Sequence, residues 1–233
     1  MFKILGICGI VLVWVYFQVS SGSGNGLSRQ SLSVSEDKER VVLAWSGPVQ
    51  EPMSERIAAA FDRYKTDRRR LVLILNSPGG SIEHGRKVVA AIRARNQAID
   101  TLVQKAGVCA SMCVPIFLAG RRRTADPDAY FMFHQASLNA SAREGMKENT
   151  KDDTKRRELS ESQRALFKEV VKTLETQATD ELFRQDIGIR GVNGVWLAGM
   201  RKKIRERDVW MSAQQLMDEG SGIVDSLVGP PAG

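Results

Sequence analysis

Residues that commonly bind metal ions are scarce in this chain. Its 233 residues include two histidines and three cysteines. His84 and His134 lie far apart in the sequence, and of the cysteines only Cys109 and Cys113 lie between them. Two cysteines and two distant histidines do not form the compact ligand set that a structural zinc ion requires. We therefore expect no metal ion, and no motif indicates a cofactor.

The N-terminus lacks an apolar run long enough to span a bilayer comfortably. The run there covers only residues 4–17, whereas a spanning helix needs about 20 residues. Lys3 precedes it and small residues at 20–24 follow it, as in a secretory signal peptide. We predict a signal peptide or N-terminal anchor at residues 1–19, and a protein that is exported, periplasmic or membrane-anchored facing the periplasm. No clean Ala-x-Ala cleavage site is present, so removal and retention of the segment both stay open.

A concentrated basic patch is also missing. The formal net charge is +7 and the isoelectric point is about 9.5, but the basic residues are dispersed. The densest runs, at 121–123 and 201–205, each indicate a solvated turn or helix face. No nucleic-acid-binding motif accompanies them, so we expect no nucleic-acid partner.

The apolar pattern predicts one α/β domain at residues 39–229, preceded by a flexible Ser- and Gly-rich linker at 20–38. Short apolar runs alternate with helical spacings in its first half, which is typical of parallel strands joined by helices. The run 71–75 is continuous and indicates a strand buried on both faces. The predicted strands cover residues 41–45, 71–75, 100–104 and 129–134, and the predicted helices cover 51–64, 81–94 and 111–118.

The pattern changes in the second half of the domain. A charged helical insertion is predicted at about 137–195, with a long amphipathic helix at 159–183 and a glycine-rich loop at 187–195. A helix at 212–219 and a strand at 223–228 then close the domain. We find no internal repeat.

Three segments carry the groups of nucleophilic catalysis. Residues 76–80 (Asn-Ser-Pro-Gly-Gly) form a turn before a helix, where free backbone amides can stabilise an oxyanion. Ser111 leads an apolar helix, whose dipole favours a nucleophile at that position. His134 ends a predicted strand and can act as a base. Each has an ordinary structural alternative, namely a common turn, a helix N-cap and a core histidine.

A serine nucleophile with a histidine base also needs a carboxylate that orients the imidazole. Asp208, near the C-terminus, is the candidate. We assign no catalytic role to His84, which lies early in a predicted helix. The rival carboxylates are Asp126, Asp128, Asp180 and Asp186.

The two cysteines at Cys109 and Cys113 flank Ser111. An exported protein can hold a disulfide there, because its compartment is oxidising. Two small buried hydrophobic residues are the alternative, and both interpretations stay open.

Taken in order, these motifs resemble the Clp protease proteolytic subunit family, which has the ClpP/crotonase fold. The resemblance covers about residues 41–228. It implies an α/β fold of repeated β-β-α/β-α units, with a largely parallel sheet flanked by helices. The matching segments are 76–80, Ala-Ser-Met at 110–112, Met-Phe-His-Gln at 132–135, and Asp208 before the Ser-Ala tail at 212–225.

The resemblance implies a serine peptidase that cleaves peptides or unfolded proteins and forms a homo-oligomer. It implies Ser111 as the nucleophile, His134 as the general base and Asp208 as the residue that orients His134. The backbone amides of Gly80 and Met112 would form the oxyanion hole.

The chain also departs from the family pattern. The interval between His134 and Asp208 is longer than the resemblance leads us to expect. Charged residues at 141–157 replace the glycine- and glutamine-rich segment with which the family stacks its rings. A signal peptide would separate the protein from any cytosolic ATP-driven unfoldase. We therefore expect an exported relative of the family that acts without an unfoldase.

Three other functions stay open. A signal-peptide-peptidase-like enzyme of the same fold would share the Gly-Gly turn and the serine but use a lysine as base. A non-catalytic protein of this fold would bind a partner through its basic surface or through the helix at 159–183. A crotonase-type acyl-CoA enzyme also uses paired amides, but it would not need the Ser-His-Asp set.

Overall fold

The computed structural model describes residues 29–137, 161–189 and 191–229, so the predictions for 1–19 and 141–157 lie outside the described residues. In chain order the strands are β1 (Ser31–Glu36), β2 (Arg40–Ser46), β3 (Arg70–Asn76), β4 (Ile99–Val103), β5 (Val108–Ala110), β6 (Arg123–Ala125), β7 (Tyr130–Phe133), β8 (Val209–Ser212) and β9 (Ser226–Leu227). The helices are α1 (Met53–Arg63), α2 (Ile82–Arg93), α3 (Cys113–Leu118), α4 (Glu161–Leu182), α5 (Gly194–Lys203) and α6 (Ala213–Asp218), and a π-helical turn, Phe183–Ile187, continues α4.

The strands form two sheets. The larger has the order β1-β2-β3-β4-β6-β9, and its neighbours are parallel except for β1 and β2. The smaller has the order β5-β7-β8, in which β5 and β7 are parallel and β8 is antiparallel to β7. The predicted α/β architecture, with a largely parallel sheet flanked by helices, is confirmed.

The first strand lies in the segment that the sequence predicts as a linker. β1 pairs with β2 along its whole length. The linker prediction for residues 20–38 is therefore wrong over Ser31–Glu36. The serine-rich composition conceals a strand in which Leu32 packs against the core while Ser31 and Ser33 are exposed. An edge strand tolerates such polarity because much of it faces water.

One face of the larger sheet forms the centre of the hydrophobic core. Every second residue of β2 and β3 is fully buried, beginning with Val41 and Leu71. These side chains share one core with the apolar faces of α1 and α2. The intervening residues, such as Val72 and Ile74, are only half-buried. The prediction that residues 71–75 are buried on both faces is therefore wrong, because within the described residues the second face is only partly covered.

The arginine run at 121–123 does not end in a solvated turn as predicted. Arg121 and Arg122 are exposed, but Arg123 lies in β6 with only 7% of its surface accessible. Its guanidinium pairs with Asp225, just before β9. Burial would raise the pKa of Asp225, but the hydrogen bonds from Arg123 outweigh this and hold the pKa below its usual range. This pair fixes β9 at the edge of the sheet.

The C-terminal end of α4 and the π-helical turn that continues it are attached to the rest of the domain by polar contacts on two sides. The backbone N–H of Ala136, which follows β7, donates to the Thr179 hydroxyl at 2.8 Å. Arg86 of α2 donates to the carboxylate of Asp186, in the π-helical turn, at 2.8 Å. Both Thr179 and Asp186 are buried. The sequence predicts this helix as part of an insertion, but its C-terminal end is attached to the rest of the domain.

Besides β1, the sequence pattern does not reveal the short strands β5, β6 and β8 or the ten-residue helix α5. The three strands have only three or four residues each, too few to show a period. The loop predicted at 187–195 is shorter than expected, because α5 begins at Gly194. The Asn193 side chain caps this helix by accepting from the backbone N–H groups of Val195 and Trp196.

Candidate active site

The smaller sheet delivers the predicted nucleophile and base to the same edge. β5 and β7 are parallel, with Ala110 opposite Met132. Because parallel strands end at the same edge of a sheet, Ser111 leaves β5 beside the point where His134 leaves β7. The two strands are also tied beyond the ladder, since the Ser111 N–H donates to the Met132 carbonyl at 2.9 Å.

The third strand brings the predicted carboxylate to this edge. β8 is antiparallel to β7, with Phe133 opposite Val209. His134 follows Phe133 and Asp208 precedes Val209, so both residues adjoin the same end of this ladder. Asp208 is exposed and His134 is half-buried. Within the described residues, no hydrogen bond joins the side chains of Ser111, His134 and Asp208 to one another.

The four rival carboxylates lie elsewhere or are already paired. Asp126 and Asp128 precede β7 and so lie at its other end from His134. Asp180 pairs with Arg201 of α5, and Asp186 pairs with Arg86 of α2. Of these five carboxylates, Asp208 is the one that directly precedes the strand paired with the His134 end of β7, and it has no ion pair within the described residues.

Ser111 has a backbone conformation that only a few non-glycine residues adopt. Its φ is +52°, in the left-handed region. Its carbonyl accepts a hydrogen bond from the Val114 N–H at 3.0 Å, which closes the first turn of α3. Ser111 thus occupies a sharp bend between β5 and α3. Such a non-glycine conformation needs support from its surroundings, and it is common at functional sites.

The turn at residues 76–80 packs directly against this bend. The Ser77 N–H donates to the Val108 carbonyl at 2.7 Å, and the Ala110 N–H donates to the Ser77 carbonyl at 3.0 Å. Gly79 has a φ of +87°, and a Cβ built there would lie 2.5 Å from the Ala110 oxygen and 2.6 Å from the Ser111 Cβ. The sequence prediction stressed Gly80. The residue that packs against Ser111 is Gly79. In the sequence, only the Asn-Ser-Pro-Gly-Gly motif indicated a role for Gly79.

The two amides predicted to form an oxyanion hole are free of protein acceptors within the described residues. Gly80 forms a parallel bridge with Val49, in which the Val49 N–H donates to the Gly79 carbonyl at 2.8 Å and the Ser81 N–H to the Val49 carbonyl at 2.7 Å. This pattern leaves the Gly80 N–H unused. Met112 precedes α3, so its N–H has no partner in the helix. Within the described residues, each of these two backbone N–H groups is therefore an uncommitted donor.

A disulfide lies beneath the bend. The structure joins Cys109 of β5 to Cys113, the first residue of α3, with their Cα atoms 5.1 Å apart. Both cysteines are fully buried, whereas Ser111 between them is partly exposed. The strand and the helix that meet at Ser111 are thus covalently linked.

The described residues contain no cluster of three or more histidine, cysteine, aspartate or glutamate side chains that could hold a metal ion. Among the described helices, none is both long and apolar enough to cross a membrane.

Comparison with known proteins first defines a class: the chain is a ClpP-like serine peptidase by sequence and fold. A family model described as Clp protease matches residues 29–230, so the chain belongs to the Clp protease family. This confirms the resemblance inferred from the motifs.

Individual relatives agree over most of the chain. The ATP-dependent Clp protease proteolytic subunit of Streptococcus sanguinis is 26% identical over 187 residues, which are 78% of this chain and 82% of that protein. The ATP-dependent Clp protease proteolytic subunit 1 of Chlamydia muridarum is 26% identical over 186 residues, which are 76% of this chain and 83% of that protein. The solved structure of a ClpP1 point mutant from Listeria monocytogenes has the same fold. Its TM-score is 0.57 at 17% identity, and the match covers 82% of this chain and 92% of that one.

The packing of Gly79 against Ser111 predicts that a single methyl group will disable the site. We expect Gly79→Ala to abolish reaction of Ser111 with a fluorophosphonate probe, because the added Cβ and the φ of +87° both require the turn to move. Gly199→Ala is the matched control, since a Cβ at Gly199 meets nothing within 4 Å. Labelling would be followed by intact-protein mass spectrometry. Equal labelling of both variants would contradict this account of the turn.

Proposed function

We propose that this chain is an active serine peptidase that cleaves peptides or unfolded proteins. Ser111 is the nucleophile, His134 the general base and Asp208 the orienting carboxylate. The observation that carries the proposal is the convergence of these three residues at one edge of the smaller sheet, beside the turn at residues 76–80. Membership of a family of serine proteases supports the reaction class.

The proposed reaction follows from the groups at this edge. His134 accepts the hydroxyl proton as the Ser111 Oγ attacks the carbonyl carbon of the peptide bond. The C=O electron pair moves onto the oxygen, which accepts hydrogen bonds from the Gly80 and Met112 N–H groups. His134 then donates the proton to the leaving amine as the C–N bond breaks. Water, activated by the same imidazole, releases the acyl group from Ser111.

Asp208 has the role of orienting His134 and stabilising its cation. A carboxylate acts most strongly when it is shielded from water, and Asp208 is exposed in the single chain. Its replacement should therefore cost less than the replacement of Ser111 or His134.

The triad is tested by replacing each member separately. We expect Ser111→Ala to eliminate fluorophosphonate labelling and peptide cleavage. We expect His134→Ala to slow both by about 10³-fold or more, because the hydroxyl loses its base, and Asp208→Asn to slow them less. Asp128→Asn, at the other end of β7, is the control for an aspartate change, and His84→Ala, on helix α2, is the control for a histidine change outside the smaller sheet. Labelling rates and peptidase kinetics are the measurements.

The outcomes separate the alternatives. Unchanged labelling of His134→Ala would indicate a lysine base, as in the signal-peptide-peptidase-like interpretation. A folded wild-type protein that no serine-directed probe labels would indicate a non-catalytic, partner-binding protein.

We also propose that the chain forms a homo-oligomer, as members of the Clp protease family do. Support comes from an apolar stripe on α4. Leu166, Val170 and Leu174 are spaced four residues apart and so share one face of the helix. Their exposed fractions are 66%, 44% and 36%. Burial of such a stripe against a second copy would remove it from water.

The stripe can be tested directly. We expect Leu166→Glu combined with Val170→Glu to lower the molar mass measured by sedimentation velocity, because two charges would have to be buried at the interface. Lys168→Glu, an exposed change on the same helix, is the control. An oligomer that survives the double substitution unchanged would place the interface elsewhere.

We propose further that the protein is exported and acts near a membrane. The signal-like segment at residues 1–19 and the disulfide beside Ser111 both suit an oxidising compartment outside the cytosol. The described chain begins beside the site, since the Gln30 amide donates to the carbonyls of Pro48 and Gln50, either side of Val49.

Fractionation of cells that express the full chain tests the location. We expect the protein in the membrane or periplasmic fraction, and a version lacking residues 1–28 in the cytosol. Mass spectrometry of the N-terminus decides between cleavage and retention. Recovery of the full chain in the cytosol with an intact N-terminus would contradict export.

A further inference from the structure

The disulfide forms a small covalent ring around the proposed nucleophile. Cys109 is the central residue of β5 and Cys113 begins α3, so the ring closes over residues 109–113 with Ser111 at its midpoint. The remaining members, Ala110 and Met112, are 1% and 0% exposed. The ring therefore contains the hydroxyl group and one of the two oxyanion donors of the proposed reaction.

A ring of this size contributes less to the stability of the whole fold than a disulfide that closes a long loop. The gain from cross-linking an unfolded chain grows with the length of the closed loop, and this loop is among the shortest that a disulfide can close. Its main effect is local. It limits how far the end of β5 and the start of α3 can move apart, and these two elements set the backbone of Ser111.

Ser111 needs such a limit because its φ of +52° is unfavourable for a residue with a side chain. Three contacts already hold it. Gly79 fits against its Cβ, the Met132 carbonyl accepts its N–H, and its own carbonyl accepts from the Val114 N–H. The disulfide adds a further constraint from the side of the core. With the ring open, the bend could relax toward a more ordinary backbone and move both the Oγ and the Met112 N–H.

We propose that the Cys109–Cys113 disulfide positions Ser111 and Met112 for acyl transfer, so that the activity is redox-dependent. This inference rests on the proposed function. A dithiol reductant supplies two electrons and two protons, the S–S bond breaks into two thiols, and the reductant leaves as its own disulfide. Because both cysteines are fully buried, the reductant must wait for a local opening, and loss of activity should be slow.

The test compares the oxidised and reduced full chain, purified in mild detergent. Oxidised protein is treated with dithiothreitol until thiol alkylation shows both cysteines reduced. We expect the maximal rate of fluorophosphonate labelling to fall about 10- to 100-fold, since a misplacement of about 1 Å can cost this much. The probe concentration for half-maximal rate should change little, and oxidised glutathione should restore the rate.

Variants separate positioning from general stability. The combined Cys109→Ala and Cys113→Ala protein should be as slow as reduced wild type and insensitive to reductant. The single Cys113→Ala variant repeats the measurement if the double variant does not fold. Cys8→Ala, outside the ring, should keep the wild-type redox response. All rates are measured well below each melting temperature, so that a loss of stability alone leaves them unchanged.

Two results would overturn the inference, and they are distinguishable. Equal labelling rates for oxidised and fully reduced wild type would overturn the positioning role and leave the triad intact. Absence of Ser111 labelling in both states would overturn the proposed peptidase function, and the inference with it.

Discussion

The site depends on the seam between the two sheets, where the turn that follows β3 is hydrogen-bonded to β5. Ser77 both donates to Val108 and accepts from Ala110, so one residue fixes the turn beside the strand that carries Ser111. Asn76 reinforces the seam, because its side-chain oxygen accepts from the Val108 N–H at 3.0 Å. This places Gly79 against the serine. Everything proposed for the reaction, including the paired Gly80 and Met112 amides, requires that β3 and β5 keep this register.

The hydrogen bonds between the turn after β3 and β5 also explain how the uncommon backbone conformations of Ser111 and Gly79 are held in place. Ser111 and Gly79 both have positive φ and lie against each other, and each turn is braced by hydrogen bonds from a buried strand. A bend that is costly in isolation persists where its surroundings determine it. The disulfide belongs to the same arrangement, since it constrains the chain from the side of the core, opposite the partly exposed Ser111.

The larger part of the fold could be predicted from the sequence, because β2, β3, α1 and α2 have strong apolar periods. The motif order likewise supplied the proposed triad of Ser111, His134 and Asp208. What could not be predicted depends on contacts between distant residues. Nothing local distinguishes Arg123 from the exposed arginines before it, since its burial follows from pairing with Asp225. Nothing local shows that Ser31–Glu36 is a strand, since its partner β2 supplies the hydrogen bonds. The position of His134 and Asp208 at the same end of the ladder likewise follows from the register of the short strands β7 and β8, which show no period.

The long helix α4 changes meaning once its contacts are known. In the sequence it belongs to a charged insertion that separates His134 from Asp208. In the structure its C-terminal end contacts two segments next to the site. The Thr179 hydroxyl accepts a hydrogen bond from the backbone two residues after His134, and Asp186 accepts one from Arg86 on the helix that follows the glycine turn. The N-terminal and middle parts of α4 expose the apolar stripe formed by Leu166, Val170 and Leu174. A helix fixed at one end beside the proposed general base and oxyanion turn, with apolar side chains exposed further along it, supports the site and carries the proposed assembly surface. The length that separates the triad members in sequence is thus part of what holds their surroundings together.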